Sequence, residues 1–248
     1  MHKAVKYTTL AATLLLTSAT LGKGTVFADD EPVQDGASMK SIGSISYVTD
    51  TDPVNPIDPV NPDPNNPITP DDPDDHEDPT SGPLSIDYVS NLRFGEQKTT
   101  GTDTTYYAQL DHITDSKGNA VDRPNFVQVT DKRGSNAGWH LTVTQDAQFK
   151  SGQEELNGAV LTLDHATLST PNDGTAPTAS QNISLTPGKA SDVLDAKADQ
   201  GTGTWLNRFG NDEEEGKSSV SLSVPGKTKK VQGEYKTSLT WTLTDSPA

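Results

Sequence analysis

Nine of the chain's 17 prolines fall between residues 51 and 80, and this clustering constrains the fold more than any other feature. Pro53, Pro56, Pro59 and Pro62 recur every three residues, and Pro64, Pro67, Pro70 and Pro73 nearly continue the series. Each proline fixes φ and removes a backbone donor, so the stretch can be neither a helix nor a central strand. Within it the words DPVNPI and DPVNPD form a six-residue repeat. Polyproline II has three residues per turn, so prolines at this spacing line one edge of an extended, solvated helix. The same residues 51–80 hold nine acids and no Lys or Arg, and their mutual repulsion stretches the chain further. The pattern predicts a disordered acidic stalk over residues 29–81, of which thirty residues would reach roughly 90 Å.

Composition follows from this division. The whole chain is 31% apolar with a net charge of -16, against about 45–50% apolar in average globular proteins. The acidity excludes nucleic acid, which requires clustered Lys and Arg. The absence of cysteine excludes disulfides, a thiol nucleophile and a cysteine zinc site. At the start, His2, Lys3 and Lys6 precede the apolar run TTLAATLLLTSATL, and Val26-Phe27-Ala28 precedes Asp29. That order predicts a secretory signal peptide over residues 1–28, with a mature chain from Asp29 that has no membrane span. The acids Asp71, Asp72, Asp74, Asp75, Glu77 and Asp78 lack the turn glycine of a calcium loop, so they read as a loose counterion cluster. No cofactor or metal is expected.

From Ser81 onward the texture changes. Leu84, Ile86 and Tyr88 alternate with polar residues, as a strand buried on one face requires. Similar runs lie at Asn125–Thr130, Trp139–Thr144, Gly158–Leu163, Ile183–Thr186, Ser218–Val224 and Tyr235–Leu243. Asp173-Gly174, Pro187-Gly188 and Pro225-Gly226 mark turns between them. In Lys189–Ala198, Ala190, Val193, Leu194 and Lys197 fall at helical spacing, with Ser191 as a cap. Asp212–Gly216 reads as a solvated loop. The prediction over residues 82–248 is an all-β fold, a sandwich or irregular barrel with at most one short helix.

The three tryptophans all lie in this part. Trp139-His140-Leu141 and Trp241-Thr242-Leu243 share the pattern W-x-L, which puts indole and isobutyl on one face of a strand. Trp205-Leu206 does not fit it. The second motif matches Y-x-x-x-L-T-W-x-L-x-x-x-P at Tyr235, Leu239, Thr240, Trp241, Leu243 and Pro247. With the upstream Trp139 and Leu141, and the flanking text GPLSIDYVSNLRFG and LTPGKASDVLDAKADQGTGTW, the chain resembles the WxL-domain surface proteins of low-GC Gram-positive bacteria. The resemblance covers residues 82–248. It implies a cell-wall-associated surface protein held non-covalently to peptidoglycan, with the two motifs required. It also implies assembly with other WxL or WxL-interacting surface proteins, so the alternative is a structural subunit or adhesin partner that binds a neighbouring protein. The absence of an LPxTG-like signal and of a lipobox cysteine agrees with non-covalent attachment. One-sided Tyr, Leu, Trp and Leu on a terminal strand also describe a core strand with no ligand, so core and contact readings both stand for these residues.

An enzyme is not expected. His76, His112, His140 and His165 form no H-E-x-x-H, and no G-x-S-x-G occurs. Asp164-His165 and His140 have no nucleophile singled out beside them. Glu154-Glu155 and Glu213-Glu214-Glu215 qualify as glycosidase carboxylates by count alone. Lys227, Lys229 and Lys230 form a basic turn that reads either as solvated or as an electrostatic contact for wall polyanions.

Overall fold

A computed structural model of the chain describes residues 39–71 and 76–247. The signal-peptide reading lies outside these residues, as do Asp72, Asp74 and Asp75 of the acidic cluster. The chain divides into two units, Met1–Ser46 and Tyr47–Ala248. In the first, residues 39–46 are exposed and have no regular structure.

The second unit carries the strands β1 (Thr69–Pro70), β2 (Leu84–Val89), β3 (Thr104–Tyr107), β4 (Asp111–Thr114), β5 (Ala120–Arg123), β6 (Phe126–Asp131), β7 (Trp139–Gln145), β8 (Lys150–Ser151) and β9 (Glu154–Glu155). After them come β10 (Val160–Leu163), β11 (Ala166–Ser169), β12 (Thr178–Ala179), β13 (Ile183–Ser184), β14 (Ala190–Ala196), β15 (Gly203–Phe209), helix α1 (Glu213–Ser219), β16 (Val220–Val224) and β17 (Leu239–Thr244). Three antiparallel four-stranded sheets, β13-β10-β16-β3, β11-β15-β6-β2 and β12-β14-β7-β17, share one apolar core. The all-β prediction holds, and the strands expected at β2, β6, β7, β10, β13, β16 and β17 are all present.

Two local readings are corrected. Lys189–Ala198 is not a helix: β14 pairs with β7 on one side and β12 on the other. A register shift between Asp192 and Leu194 turns Val193 and Leu194 inward together, and a strand with such a bulge imitates helical spacing. The helix lies instead over the expected loop at Glu213–Ser219. Asp212 caps it by accepting from the Glu215 amide at 2.9 Å, and the Glu215 carboxylate accepts from the Asn211 amide, a reciprocal cap. Seven residues without apolar periodicity leave no other signal for it.

The largest difference concerns the proline-rich segment. Over residues 50–71 it is not a free stalk but a strap across the second face of the β11-β15-β6-β2 sheet. One face of that sheet gives Val127, Val129, Trp205 and Phe209 to the main core. On the other, Phe126, Leu206 and Tyr88 pack with Ile57 and Ile68 from the strap and Ile113 from β4. All six residues of β6 are consequently buried. The strap contains Asn-Pro-Ile twice, at 55–57 and 66–68, and both isoleucines are buried. The two arms close on each other, with Ile57 bridging Pro67 and the Ile68 amide donating to the Pro56 carbonyl at 2.9 Å.

Polar groups fasten the strap where prolines prevent a ladder. The buried Gln128 accepts from the Ile57 amide at 2.9 Å and donates to the Asn55 carbonyl at 3.2 Å. Arg208 and Ser169 both donate to the Pro59 carbonyl. Arg123 grips Asp58 with two bonds of 2.7 Å. Lys132 reaches Asp50 and the Asp52 carbonyl. Over residues 50–71 a strap stands where a stalk is expected because the residues between the prolines, Ile57, Asp58 and Ile68, are complementary to a sheet.

Burial pushes the Asp58 carboxyl up, but the Arg123 guanidinium and the Val60 and Asn61 amides outweigh it and hold it below the usual carboxylate range. A depressed folded value means that this pair stabilises the fold above the unfolded pKa of about 3.9, and that the contribution disappears as pH falls through the folded value. Asp58→Asn should therefore lower stability at neutral pH and flatten its decline below about pH 4, read as Tm against pH. Ile57→Ala should cost about 2–4 kcal/mol in denaturant unfolding, whereas a free stalk would show no change.

Candidate functional site

Both W-x-L motifs lie side by side in the β12-β14-β7-β17 sheet. β7 is an interior strand, and β17 runs antiparallel to it along the sheet edge. Leu243 stands opposite Leu141 and Trp241 opposite Val143, so the two motifs share one face.

The first motif is core. Trp139 and Leu141 are both fully buried, and the Trp139 indole N–H donates to the Gly201 carbonyl at 2.9 Å. Room for the indole comes from Gly201, where a Cβ would come within 2.6 Å of the Trp139 ring nitrogen; a Cβ at Gly138 would instead clash with the Ala196 carbonyl. Both glycines also have positive φ, which a side chain would strain. Trp205 is buried as well and donates to the Thr202 carbonyl at 3.1 Å.

The second motif is at the surface. Leu239, Trp241 and Leu243 are half-buried, packed on the core from one side, while Thr240, Thr242 and Thr244 are exposed on the other face. Among the described residues the edge itself is open. The Gln145 carbonyl accepts from Gly188 on the β14 side, and the Ser238 carbonyl accepts from Asp146. Backbone groups alternate in direction along an antiparallel strand, so Thr240, Thr242 and Thr244 pair with β7. The N–H and C=O groups of Leu239, Trp241 and Leu243 then face away from the sheet. Apolar side chains, a row of hydroxyls and free backbone groups therefore coincide on one strand.

The flanking motif residues have structural contacts. The Tyr235 hydroxyl accepts from the Val231 amide at 2.9 Å, closing the turn before β17. The Thr240 and Ser238 hydroxyls both donate to the Asp146 carboxylate, at 3.0 and 2.6 Å. Pro247 is exposed beyond the strand. Just before it, the Asp245 carbonyl accepts from Arg133, whose guanidinium also pairs with the buried Asp131. Six of the eight motif residues share one sheet, with Tyr235 and Pro247 flanking β17. Spacing alone does not show Gly201, which makes room for the indole, Gly138, which admits the Ala196 carbonyl, or Arg133, which ties the terminus.

The other candidates are engaged elsewhere. Glu154 and Glu155 form β9 and pair with Lys229 and Lys150. Glu213, Glu214 and Glu215 make the first turn of α1. The Asp164 carboxylate accepts from the His165 and Asn182 amides, and His165 lies 3.2 Å from the hydroxyl of Ser219, which itself donates to the Glu215 carbonyl. Of the basic turn, Lys229 is paired and Lys230 donates to three carbonyls of its own loop. Among the described residues no group of acids and histidines could hold a metal, and no helix is long and apolar enough to cross a membrane.

No curated protein and no solved structure matches the chain. The family described as WxL domain, surface cell wall-binding, matches over residues 34–247, which takes in the strap as well as the three sheets. That family is one of wall-binding surface proteins rather than of enzymes. The chain belongs to the WxL family, and it is a cell-surface protein that attaches to the cell wall.

Proposed function

We propose that the domain attaches non-covalently to peptidoglycan and that the second motif, on β17, makes the contact. The observation that carries this reading is the difference between the motifs: Trp139 is fully enclosed, whereas Trp241 is half-buried on an edge strand. An aromatic side chain suits a sugar ring, because C–H groups pack on the π surface. Thr242 exposes its hydroxyl on the opposite face of the same edge strand, so a glycan that meets both wraps around that edge. In this reading the first motif builds the platform and the strap belongs to the same unit.

The open backbone of β17 favours a second reading, in which a strand of a neighbouring surface protein adds to this edge. Binding of the full chain to protein-stripped walls separates the two: retention supports the glycan, and loss together with recovery on untreated walls supports a protein receptor.

The motif substitutions should diverge. Trp139→Ala should cost about 3–5 kcal/mol and lower Tm sharply, because it empties an enclosed site and orphans a carbonyl. Trp241→Ala should leave near-ultraviolet circular dichroism close to native and weaken wall binding by about tenfold or more, as for a contact residue at the centre of an interface. Wall binding that survives Trp241→Ala unchanged would remove β17 as the contact.

A further inference from the structure

The exposed segment before the strap is a second copy of strand β2. Residues 44–50 read Ser-Ile-Ser-Tyr-Val-Thr-Asp, and residues 85–91 read Ser-Ile-Asp-Tyr-Val-Ser-Asn. Four of the seven positions are identical, and Thr49 and Asp50 replace Ser90 and Asn91 with close analogues. The matched residues are those with which β2 holds the sheet. Ile86 and Val89 pack on the main core. Tyr88 stacks on Phe126 with ring centres 4.5 Å apart, and its hydroxyl donates to Asp111 at 2.9 Å. The Ser90 hydroxyl accepts from the Phe126 amide at 2.7 Å, and a threonine offers the same oxygen. Yet in the chain itself Ile45 is 79% exposed, Tyr47 88% and Val48 91%. Apolar side chains with strand propensity that no described residue covers mark a segment able to add to a sheet.

We propose that residues 44–50 of one molecule seat against β6 of a second copy, in the place of that copy's β2, linking neighbouring molecules by strand exchange. The geometry selects a second copy over the chain's own β6. Asp50 is tied to Lys132, just past the Asp131 end of β6, and the Thr51 carbonyl accepts from Gly82 beside it. In the place of β2, Thr49 and Asp50 would lie at the Phe126 end, where the Ser90 amide now donates to the Phe126 carbonyl. Those ends are five residues of strand apart, about 17 Å. The chain's own segment therefore reaches the slot only by tearing off the strap, whereas a neighbour's segment reaches it with both straps in place. The outer edge of β2 is no alternative site, since Thr80 already occupies the Ile86 N–H and C=O.

The resident strand carries one costly residue that the second copy lacks. Asp87 is 2% exposed, and burial pushes its carboxyl above the usual range despite bonds from Ser85, Thr130 and Gln128. Ser46 stands at the equivalent position and brings no charge into the sheet. A tethered β2 competes at an effective concentration near the millimolar range, so exchange belongs to crowded conditions such as a cell surface.

The chain has no cysteine, so an engineered pair reports the register directly. Val89 stands opposite Val127, which places Val48 of a donor against Val127 of its acceptor. A full chain carrying Val48→Cys, mixed at high concentration with one carrying Val127→Cys, should give several-fold more disulfide-linked dimer than a Met39→Cys and Val127→Cys mixture. Equal yields would overturn the proposal. Should Val127→Cys fail to fold, amide exchange on the unaltered chain decides. With rising concentration, Ile45–Thr49 should gain protection and Ile86–Ser90 should lose it, and failure of either change overturns the exchange.

Discussion

One buried side-chain amide, that of Gln128, joins the proline-rich segment to the sheet. A sheet normally recruits a further layer through apolar packing or a further strand through a ladder. A segment with proline at every third position has too few N–H groups for a ladder. Gln128 offers one acceptor and two donors at a single site and spends them on the Ile57 amide, the Asn55 carbonyl and Asp87. The Ile57 amide and the Asn55 carbonyl thus meet a partner, and each avoids the ~1–3 kcal/mol of a buried unsatisfied group. With the strap in place β6 becomes an interior strand in both directions, and the two apolar clusters meet through it.

Much of the fold was legible, and its limits are physical. Periodicity located β2, β6, β7, β16 and β17 because each has apolar residues at alternate positions. It also marked Ser85 and Asp87 as the outward face of β2, whereas both are buried beneath the strap. Alternation reports which face carries the apolar residues; it does not report that the polar face is covered too. At β14 a bulge moved the alternation by one residue, and the result had helical spacing. Helix α1 rests on a cap and on a glycine, Gly216, packed against Leu110 and Pro124, neither of which is periodic. At the site, the spelling of the motifs shows that indole and leucine share a strand face, but neither their pairing nor their burial, because an identical W-x-L occupies an interior strand in one case and an edge in the other.

That contrast organises the proposed binding surface. Trp139 and Gly201 fix the position of β7, and β7 holds β17 in register, so the half-buried Trp241 stands on a packed sheet. Loops move, whereas an edge strand on a packed sheet presents its side chains at fixed spacing. The family match, beginning at residue 34, treats strap and sheets as one unit, in accord with a strap whose isoleucines complete the second apolar cluster.

The six-residue repeat in the strap has a further consequence. A repeated sequence lying across a flat surface can slide by one period and keep most of its contacts. Here the two words differ only at their last residue, Ile57 in the first and Asp63 in the second. A forward slip would bring the Asp63 carboxylate into the apolar site that Ile57 fills and deprive Arg123 of Asp58. An isolated charge in such a site costs several kcal/mol. The broken letter therefore acts as a stop: five residues of each word allow the segment to lie flat, and the sixth decides where.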